Sequence, residues 1–305
     1  MTQLAISIPQ SFTDGSFDAA AMRTYLVRAE ALGFHSAWTQ ESIIGLAPEL
    51  DPVDLLTYAA ACTERLRLGC AVMLTTLRSP VHLAKSMSTI DQMSGGRLEV
   101  GVGLGGRADV FGAFGVDPGT QVARFVEGLQ VMKALWTEPS VTLEGRFWQL
   151  RGARMEPKPF QKPHPPVWFG ANHPNALRRA VRLGDAFIGA GGTATAQFLE
   201  QVQTVRQALE EAGRDPASFM IGKRVYIMVD DDRARAKQRA AEWFQRRYGR
   251  SGMEDQVAVC GTPDECVEGL RQVTGAGIEL LLLTALGDHA EQLERYAAEI
   301  RPNLL

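Results

Sequence analysis

The sequence predicts an α/β protein whose fold is a closed (β/α)8 barrel. Apolar strands alternate with amphipathic helices along the chain, which is typical of a parallel sheet. The strands are apolar almost without interruption, as expected for strands that are covered on both faces. We find eight strand–helix units in 305 residues, the number that closes a barrel, whereas an open doubly wound sheet usually has fewer strands.

The first four strands are separated by three helices with clear start signals. Asp18 precedes the first helix, and aspartate–proline and serine–proline pairs at 51–52 and 79–80 precede the next two; these residue types cap a helix and fit its first turn. The glycine pair at 95–96 ends the third helix. These signals place strands at 4–8, 36–39, 67–74 and 98–102, and helices at 18–32, 51–64 and 79–93.

The alternation pauses after the fourth strand and then resumes. A helix at 120–136 precedes a predicted hairpin at 141–148, which turns at Glu144-Gly145, and a proline-rich connector that reaches residue 166. We interpret 137–166 as an insertion between the fourth and fifth strands of a single domain spanning residues 1–305, because the alternation returns beyond it. The later strands are predicted at 167–169, 186–188, 220–229 and 279–283, and the helices at 174–183, 196–212, 232–247, from 262 onward and at 289–300.

Composition argues against several classes of function. The chain has 32 basic and 35 acidic residues and a net charge of −3, which argues against nucleic acid or a membrane surface as a partner. Its four cysteines and five histidines show no metal-binding spacing, so no metal site is predicted. No signal peptide or membrane-spanning run is evident, and we expect a cytoplasmic protein with reduced thiols that acts on a small molecule.

The carboxyl end of the fourth strand is poor in side chains. Gly101, Gly103, Gly105 and Gly106 occupy it, and bare backbone of this kind lets a flat or phosphorylated ligand approach closely. The spacing of the first, second and fourth of these glycines also matches the dinucleotide fingerprint, but a lone match is weak. The following residues are a poor helix opening, and the strand is the fourth rather than the first. We therefore disfavour classical NAD binding.

Two further segments stand at predicted strand ends, where the active site of such a barrel lies. The turn at 170–173 leads into a helix whose first amides attract anions; it is a phosphate site or an ordinary helix cap. Gln40, Glu41 and Ser42 follow the second strand. Glu41 is the carboxylate of that loop, and it is either a polar group of the site or a solvated charge.

Short segments spread over the whole chain carry a family resemblance. They are ALGFHSAW at 31–38, RLRLGCAV at 65–72, RSPV at 78–81, DQMSGGRL at 91–98, AFGV at 113–116, LWT at 135–137, PKP at 157–159 and PHPPVW at 163–168. In this order they resemble the bacterial-luciferase-like family of flavin- and deazaflavin-dependent oxidoreductases. The resemblance implies a (β/α)8 barrel with an insertion before the fifth strand and a homodimer formed through the early helices.

The resemblance also implies a cofactor, coenzyme F420 or FMN, with its ring at the barrel mouth. The family often supports this ring with a bulge at the end of the third strand that contains a non-prolyl cis peptide. In this sequence the implied cofactor-binding residues are Ala71 and Val72 in the bulge, Gly103, Leu104, Gly105 and Gly106 in the loop beside the cofactor, and Gly170, Ala171, Asn172 and His173 near its phosphate.

The loop after the second strand departs from the family pattern. Many members carry an acidic residue followed by histidine there, whereas this chain has Glu41-Ser42, and serine cannot carry a proton near neutral pH as imidazole can. Glu41, Gln40 and Ser42 are the catalytic candidates. The first hypothesis is F420-dependent hydride transfer to or from a small organic substrate. The alternatives are an FMN-dependent monooxygenase that uses reduced flavin and oxygen, and a cofactor-binding relative without turnover, which Ser42 would favour.

Overall fold

A closed ring of eight parallel strands forms the centre of the computed structural model, which describes residues 2–12, 16–45, 48–105, 108–249 and 252–304. The strands of the described residues are β1 (Gln3–Ser7), β2 (Ser36–Thr39), β3 (Arg67–Cys70), β4 (Met73–Leu74), β5 (Leu98–Gly103), β6 (Val141–Glu144), β7 (Gln149–Ala153), β8 (Val167–Gly170), β9 (Ala186–Gly189), β10 (Met220–Val229), β11 (Ala258–Gly261) and β12 (Leu280–Ala285). The ring runs β1-β2-β3-β5-β8-β9-β10-β12, and β12 pairs with β1 to close it. The predicted barrel is therefore confirmed.

Helices follow the strands and cover the outside of the barrel. They are α1 (Ala19–Ala31), α2 (Pro52–Cys62), α3 (Pro80–Ser94), α4 (Gln121–Thr137), α5 (Pro174–Leu183), α6 (Thr195–Glu211), α7 (Arg233–Tyr248), α8 (Glu254–Val257), α9 (Pro263–Thr274), α10 (His289–Arg295) and α11 (Arg301–Leu304). Asp18, Asp51 and Ser79 cap the first three helices with their side chains, as predicted. No helix in these described ranges is long and apolar enough to cross a membrane.

The insertion before the fifth barrel strand contains the predicted hairpin, but its turn lies further along the chain. β6 and β7 pair antiparallel, and β7 begins only at Gln149. The reason lies in α4, where the Glu127 carboxylate accepts hydrogen bonds from the amides of Arg146, Phe147 and Trp148 at 3.1, 2.8 and 2.9 Å. These bonds hold the three residues in a wider turn, so the predicted turn at Glu144-Gly145 was wrong.

One strand escaped the prediction. β11 pairs in parallel with the last part of β10, from Tyr226 to Val229, whereas β9 pairs with the first part of β10, from Met220 to Lys223. β10 is ten residues long and extends beyond the end of β9. Its last residues therefore have a free edge, and β11 pairs with it. The segment of β11 is only four residues long and half-buried, too short to give a strand pattern.

A pair of tryptophans fills the barrel interior below the mouth. Trp38 and Trp168 meet edge to face with ring centroids 5.4 Å apart, and both are almost fully buried. Trp168 donates a hydrogen bond to the Glu99 carboxylate at 2.7 Å, and Glu99 is also paired with Arg67. Burial raises the pKa of Glu99, while Arg67 opposes that shift. The packed interior leaves the carboxyl ends of the strands as the open end of the barrel.

Candidate active site

The third barrel strand is interrupted by a bulge between β3 and β4. The peptide bond between Ala71 and Val72 in this bulge is cis, as the family resemblance implies. A Cβ atom added to Gly103 would lie 2.5 Å from a Val72 methyl carbon, and one added to Gly170 would lie 3.0 Å from the other. At Gly101 it would lie 1.7 Å from the carbonyl oxygen of Cys70. These three glycines therefore make room for the bulge, whose atoms lie directly against their backbone.

A cavity of about 290 Å³, here called the mouth cavity, opens beside the bulge. It is lined by Gln40, Glu41, Ser42, Ile43, Ile44, Ala71, Val72, Leu74, Leu77, Leu104, Gly105, Val110, Phe111, Arg224 and Arg247. All three catalytic candidates thus meet four of the predicted cofactor-binding residues in one place. Gly103 lies behind Val72, and Gly106 falls outside the described residues.

Glu41 is neither a free nor a solvated carboxylate. Its side chain is fully buried and paired with Arg78, whose Nε donates to Oε1 at 2.7 Å. The other oxygen, Oε2, accepts a hydrogen bond from the backbone amide of Leu74 in β4. Arg78 also binds Asp51, the cap of α2. Burial raises the pKa of Glu41, and Arg78 opposes that shift. Glu41 thus ties the strand-two loop to the bulge.

Gln40 links the ends of β1 and β2. Its backbone amide donates to the side-chain oxygen of Gln10 at 2.6 Å, and its carbonyl accepts from the Gln10 amide group at 2.8 Å. The Gln40 side chain donates to the hydroxyl of Ser7 at 3.3 Å, and Ser7 in turn lies 2.6 Å from the hydroxyl of Thr284 in β12. Gln40 therefore joins a chain of polar groups beneath the mouth cavity.

The turn after β8 forms a helix cap and does not line the mouth cavity. The ring of His173 caps α5 by accepting from the amide of Asn175 at 3.2 Å. The Asn172 side-chain oxygen accepts from Thr193 at 3.3 Å and from Gln201 at 3.2 Å. Asn172 and His173 are exposed, and Gly170 and Ala171 are half-buried. The start of α5 is consequently open to an anion from solvent, beside the loop that follows β9.

Two neighbouring cations in β10 were missed in the sequence. Arg224 lines the mouth cavity and donates to the Tyr226 hydroxyl at 2.5 Å, while its buried Nε has no hydrogen-bond partner. Lys223 is buried and donates to the carbonyl oxygens of Ala190 and Thr193; burial lowers its pKa to about 7. The signal was a Lys-Arg pair inside an otherwise apolar strand, since a strand buried on both faces rarely keeps two cations without use for them.

The described part of the chain brings together no group of three or more His, Cys, Asp or Glu side chains that could hold a metal ion. The mouth cavity instead has apolar walls with a few polar side chains. Such walls suit a flat organic ring.

These features define a barrel protein with a cavity at the carboxyl ends of its strands. The model of the luciferase-like monooxygenase family matches residues 3–280, and the chain belongs to this family. The F420-dependent glucose-6-phosphate dehydrogenase of Beutenbergia cavernae is 30% identical over 92% of both chains.

Solved structures share the fold over the whole chain. The monooxygenase RslO1 from Streptomyces bottropensis superposes with a TM-score of 0.87 at 25% identity and covers 100% of both chains. An F420-dependent secondary alcohol dehydrogenase, solved with an F420-acetone adduct, has a TM-score of 0.85 at 20% identity and covers 100% of this chain and 99% of its own.

Proposed function

We propose that this chain is an oxidoreductase that uses coenzyme F420 to move a hydride to or from an organic substrate. The observation that carries the proposal is the Ala71–Val72 bulge at the wall of the mouth cavity, seated against the bare backbone of Gly103 and Gly170. The F420-dependent dehydrogenase that aligns with 92% of this chain supports the choice of coenzyme. The coenzyme, when bound, supplies the centre that gives or takes the hydride.

The residues of the mouth fit a flat, mostly apolar ring. We propose that Ala71, Val72, Leu104 and Gly105 form the wall against it, and that Gly106 belongs to the same loop. The two tryptophans close the barrel below and exclude water from that side. The turn of Gly170, Ala171, Asn172 and His173 is the proposed holder of the phosphate, because the start of α5 offers positive partial charge.

Glu41 acts in this proposal as a positioning residue. Both of its oxygens are engaged, by Arg78 and by the amide of Leu74, so it fixes the bulge rather than carrying a proton. Gln40 and Ser42 line the same cavity with neutral polar side chains. They can orient a substrate oxygen by hydrogen bonds, and neither supplies a base near neutral pH.

A second candidate function is an FMN-dependent monooxygenase. The structure of the monooxygenase RslO1, which superposes over the whole chain at 25% identity, favours it. A cofactor-binding relative without turnover is the third candidate, since Ser42 stands where many family members carry histidine. We also propose that residues 1–305 form one domain, that the protein is a cytoplasmic homodimer, and that its thiols are reduced, as the four free cysteines of the structure suggest.

Separate calorimetric titrations with F420 and with FMN test this proposal. We expect F420 to bind with a Kd below about 10 μM and FMN to bind more weakly. Micromolar affinity corresponds to about 8 kcal/mol of binding free energy. Tighter binding of FMN would favour the monooxygenase. If neither cofactor binds better than about 100 μM, both enzyme hypotheses fail. Bound F420 that stays in one redox state with a panel of alcohols, aldehydes and enones would favour the third candidate.

A further inference from the structure

A second and larger cavity opens at the same end of the barrel. Its volume is about 870 Å³, against about 290 Å³ for the mouth cavity, and we call it the outer cavity. Gln40, Arg224 and Arg247 line both cavities, so an occupant of one lies next to an occupant of the other. The remaining walls come from the ends of β1, β10 and β12 and from helices α1, α7 and α10.

Aromatic side chains form much of the wall of the outer cavity. They are Phe12, Phe17, Tyr25, Tyr226, Trp243 and Tyr248. Phe17 and Tyr248 remain 41% and 43% exposed, although large apolar side chains at a functionless surface are usually single and scattered. Aromatic rings favour stacked or edge contacts with another aromatic ring, so these walls suit a flat, extended molecule.

The outer cavity also holds buried polar atoms without partners. Among the described residues, five buried side-chain nitrogen or oxygen atoms lack a hydrogen-bond partner, and three of them belong to residues of this cavity: Glu49 Oε2, Arg224 Nε and His289 Nδ1. A buried polar atom that stays unpaired destabilises the fold. Their grouping beside one cavity marks a wall whose polar side chains are not fully paired within the described residues.

The arginines of the outer cavity indicate the charge of a ligand there. Arg224 has no carboxylate partner in the part of the chain that the structure describes, and its guanidinium lies over the ring of Tyr226 at 5.0 Å. The other arginines of the outer cavity are each paired with a carboxylate: Arg239 with Asp230 and Glu291, Arg246 with Glu242, and Arg247 with Glu49. The unpaired cation favours an anionic oxygen on the ligand.

We propose that the outer cavity is the substrate site and that the substrate is an extended aromatic molecule with an anionic oxygen. Arg224 binds the anionic oxygen at the border with the mouth cavity, and the aromatic walls hold the rings. This inference rests on the proposed function, which places the cofactor ring in the mouth cavity. Small alcohols and ketones offer neither rings for the aromatic walls nor an anionic oxygen for Arg224, so they are expected to be poor substrates.

Calorimetric titration of 3-hydroxy-2-naphthoate into the full chain, with and without F420, tests the inference. This probe has two fused rings, a carboxylate and a hydroxyl. We expect a Kd below about 100 μM. Its methyl ester, which lacks the anionic oxygen, is expected to bind about 10- to 100-fold more weakly, as the loss of a hydrogen bond to a charged group predicts. Equal affinity for acid and ester would overturn the role of Arg224.

Three variants sharpen the test. Arg224→Met should weaken the acid by about 10- to 100-fold and the ester by less than about 3-fold. Arg65→Met is the matched control, because Arg65 is 72% exposed, faces Glu30 and lines neither cavity; its effect should stay below about 3-fold. Ala21→Trp fills the outer cavity from the exposed face of α1, where Ala21 does not line the mouth cavity. It should abolish naphthoate binding and leave the affinity for F420 unchanged.

The outcomes separate the two proposals. If F420 binds the wild-type chain but the naphthoate does not, or if Ala21→Trp leaves naphthoate binding intact, the substrate inference is wrong and the proposed function stands. If the naphthoate binds in the predicted pattern while F420 does not bind, the outer cavity is a ligand site but the F420 function fails.

Discussion

The Glu41–Arg78 ion pair holds three parts of the barrel mouth together. Glu41 follows β2, Arg78 precedes α3, and the amide of Leu74 in β4 completes the group. Arg78 reaches further to Asp51 at the start of α2. A single buried carboxylate thus sets the position of the bulge that faces the proposed cofactor. We propose that Glu41 positions the site, because each of its oxygens already accepts a hydrogen bond.

Glu41→Gln should therefore weaken cofactor binding and turnover together. The amide leaves the Arg78 cation without one of its two counter-ions, and we expect a loss of roughly 2 kcal/mol in the free energy of unfolding, since breaking a buried ion pair is costly. F420 affinity and kcat/KM should fall by similar factors. Urea unfolding, F420 titration and steady-state kinetics measure the three quantities.

Arg78→Met is the matched partner variant, because it removes the other half of the same pair. It should reproduce the losses of Glu41→Gln, and the double variant should lose less than the sum of the two. A Glu41→Gln variant that binds F420 normally but has a much lower kcat would contradict the positioning role and point to a catalytic carboxylate.

At the scale of single residues, the sequence located Glu41 at the mouth but not its partners. Position after a predicted strand is a local property, and it could be predicted. The partner Arg78 lies 37 residues away from Glu41 in the sequence. The two residues meet only because the bulge places β4 beside the loop after β2, and hydrophobic periodicity does not predict such a bulge. Arg224 was missed for a related reason, since alternation within β10 does not tell which cation faces a cavity.

The bulge between β3 and β4 is the element that shapes the site. Val72 fits against Gly103 of β5 and Gly170 of β8, and the carbonyl of Cys70 fits against Gly101. Two barrel strands, β5 and β8, thus make room for the interruption in the third strand of the barrel. The glycine-rich strand end therefore has a structural role in supporting the bulge, in addition to any contact with a ligand.

Gly103→Ala should displace the bulge. The new Cβ would lie 2.5 Å from a Val72 methyl carbon, and we expect about 1–3 kcal/mol of destabilisation, as overpacking of a filled core predicts. F420 affinity should fall with it, because the wall of the mouth cavity moves. Chemical denaturation and calorimetry check both effects.

Two further variants distinguish the bulge from a general effect of replacing glycine. Gly112→Ala is the control, because a Cβ there meets nothing within 4 Å, and it should change neither quantity. Combining Val72→Ala with Gly103→Ala removes the Val72 methyl groups that the new methyl group of residue 103 would contact. The double variant should therefore regain part of the stability. If Gly103→Ala proves as harmless as Gly112→Ala, the close seating of Val72 is wrong.

Among the elements, those with strong local signals could be predicted. The bounds of α5 and β10 agree with the sequence, because proline and glycine or a long apolar run mark them. The hairpin turn was misplaced because Glu127 of α4 captures three amides of the turn. β11 was missed because a four-residue strand exists only through its partner. Tertiary contacts decided both cases.

The whole molecule is a barrel with a packed interior and an open mouth. The count of eight strand–helix units predicted closure, and the pairing of β12 with β1 confirms it. The volumes and the separation of the two cavities were not predictable, because side chains from six or more elements form their walls. The closed end depends on Trp38 and Trp168.

Stability should fall in mild acid through His289. This residue begins α10 and packs edge to face against Tyr25, and burial lowers its pKa to about 4 from 6.5. Between these values the unfolded chain binds a proton that the folded chain does not, so the free energy of unfolding decreases as pH falls from about 6.5 towards 4. The contribution at pH 4.5 is about 2 kcal/mol. Urea unfolding at pH 7 and 4.5 should show a smaller pH difference for His289→Gln than for the wild type, and equal differences would contradict this assignment.

The proposed homodimer is tested by light scattering of the purified chain. A chain of 33.3 kDa should give about twice that mass at micromolar concentration if the early helices form an isologous interface. Val27, Val81 and Met93 are exposed apolar residues of α1 and α3, the surface that the family resemblance favours. A monomer mass over the whole concentration range would contradict the proposal.

The most direct test of the account is a crystal structure of the chain with F420. We expect electron density for the ring in the mouth cavity, against Val72 and Leu104, with the phosphate at the turn of residues 170–173. Density for the ring elsewhere, or a mouth cavity that stays filled with water at saturating F420, would contradict it.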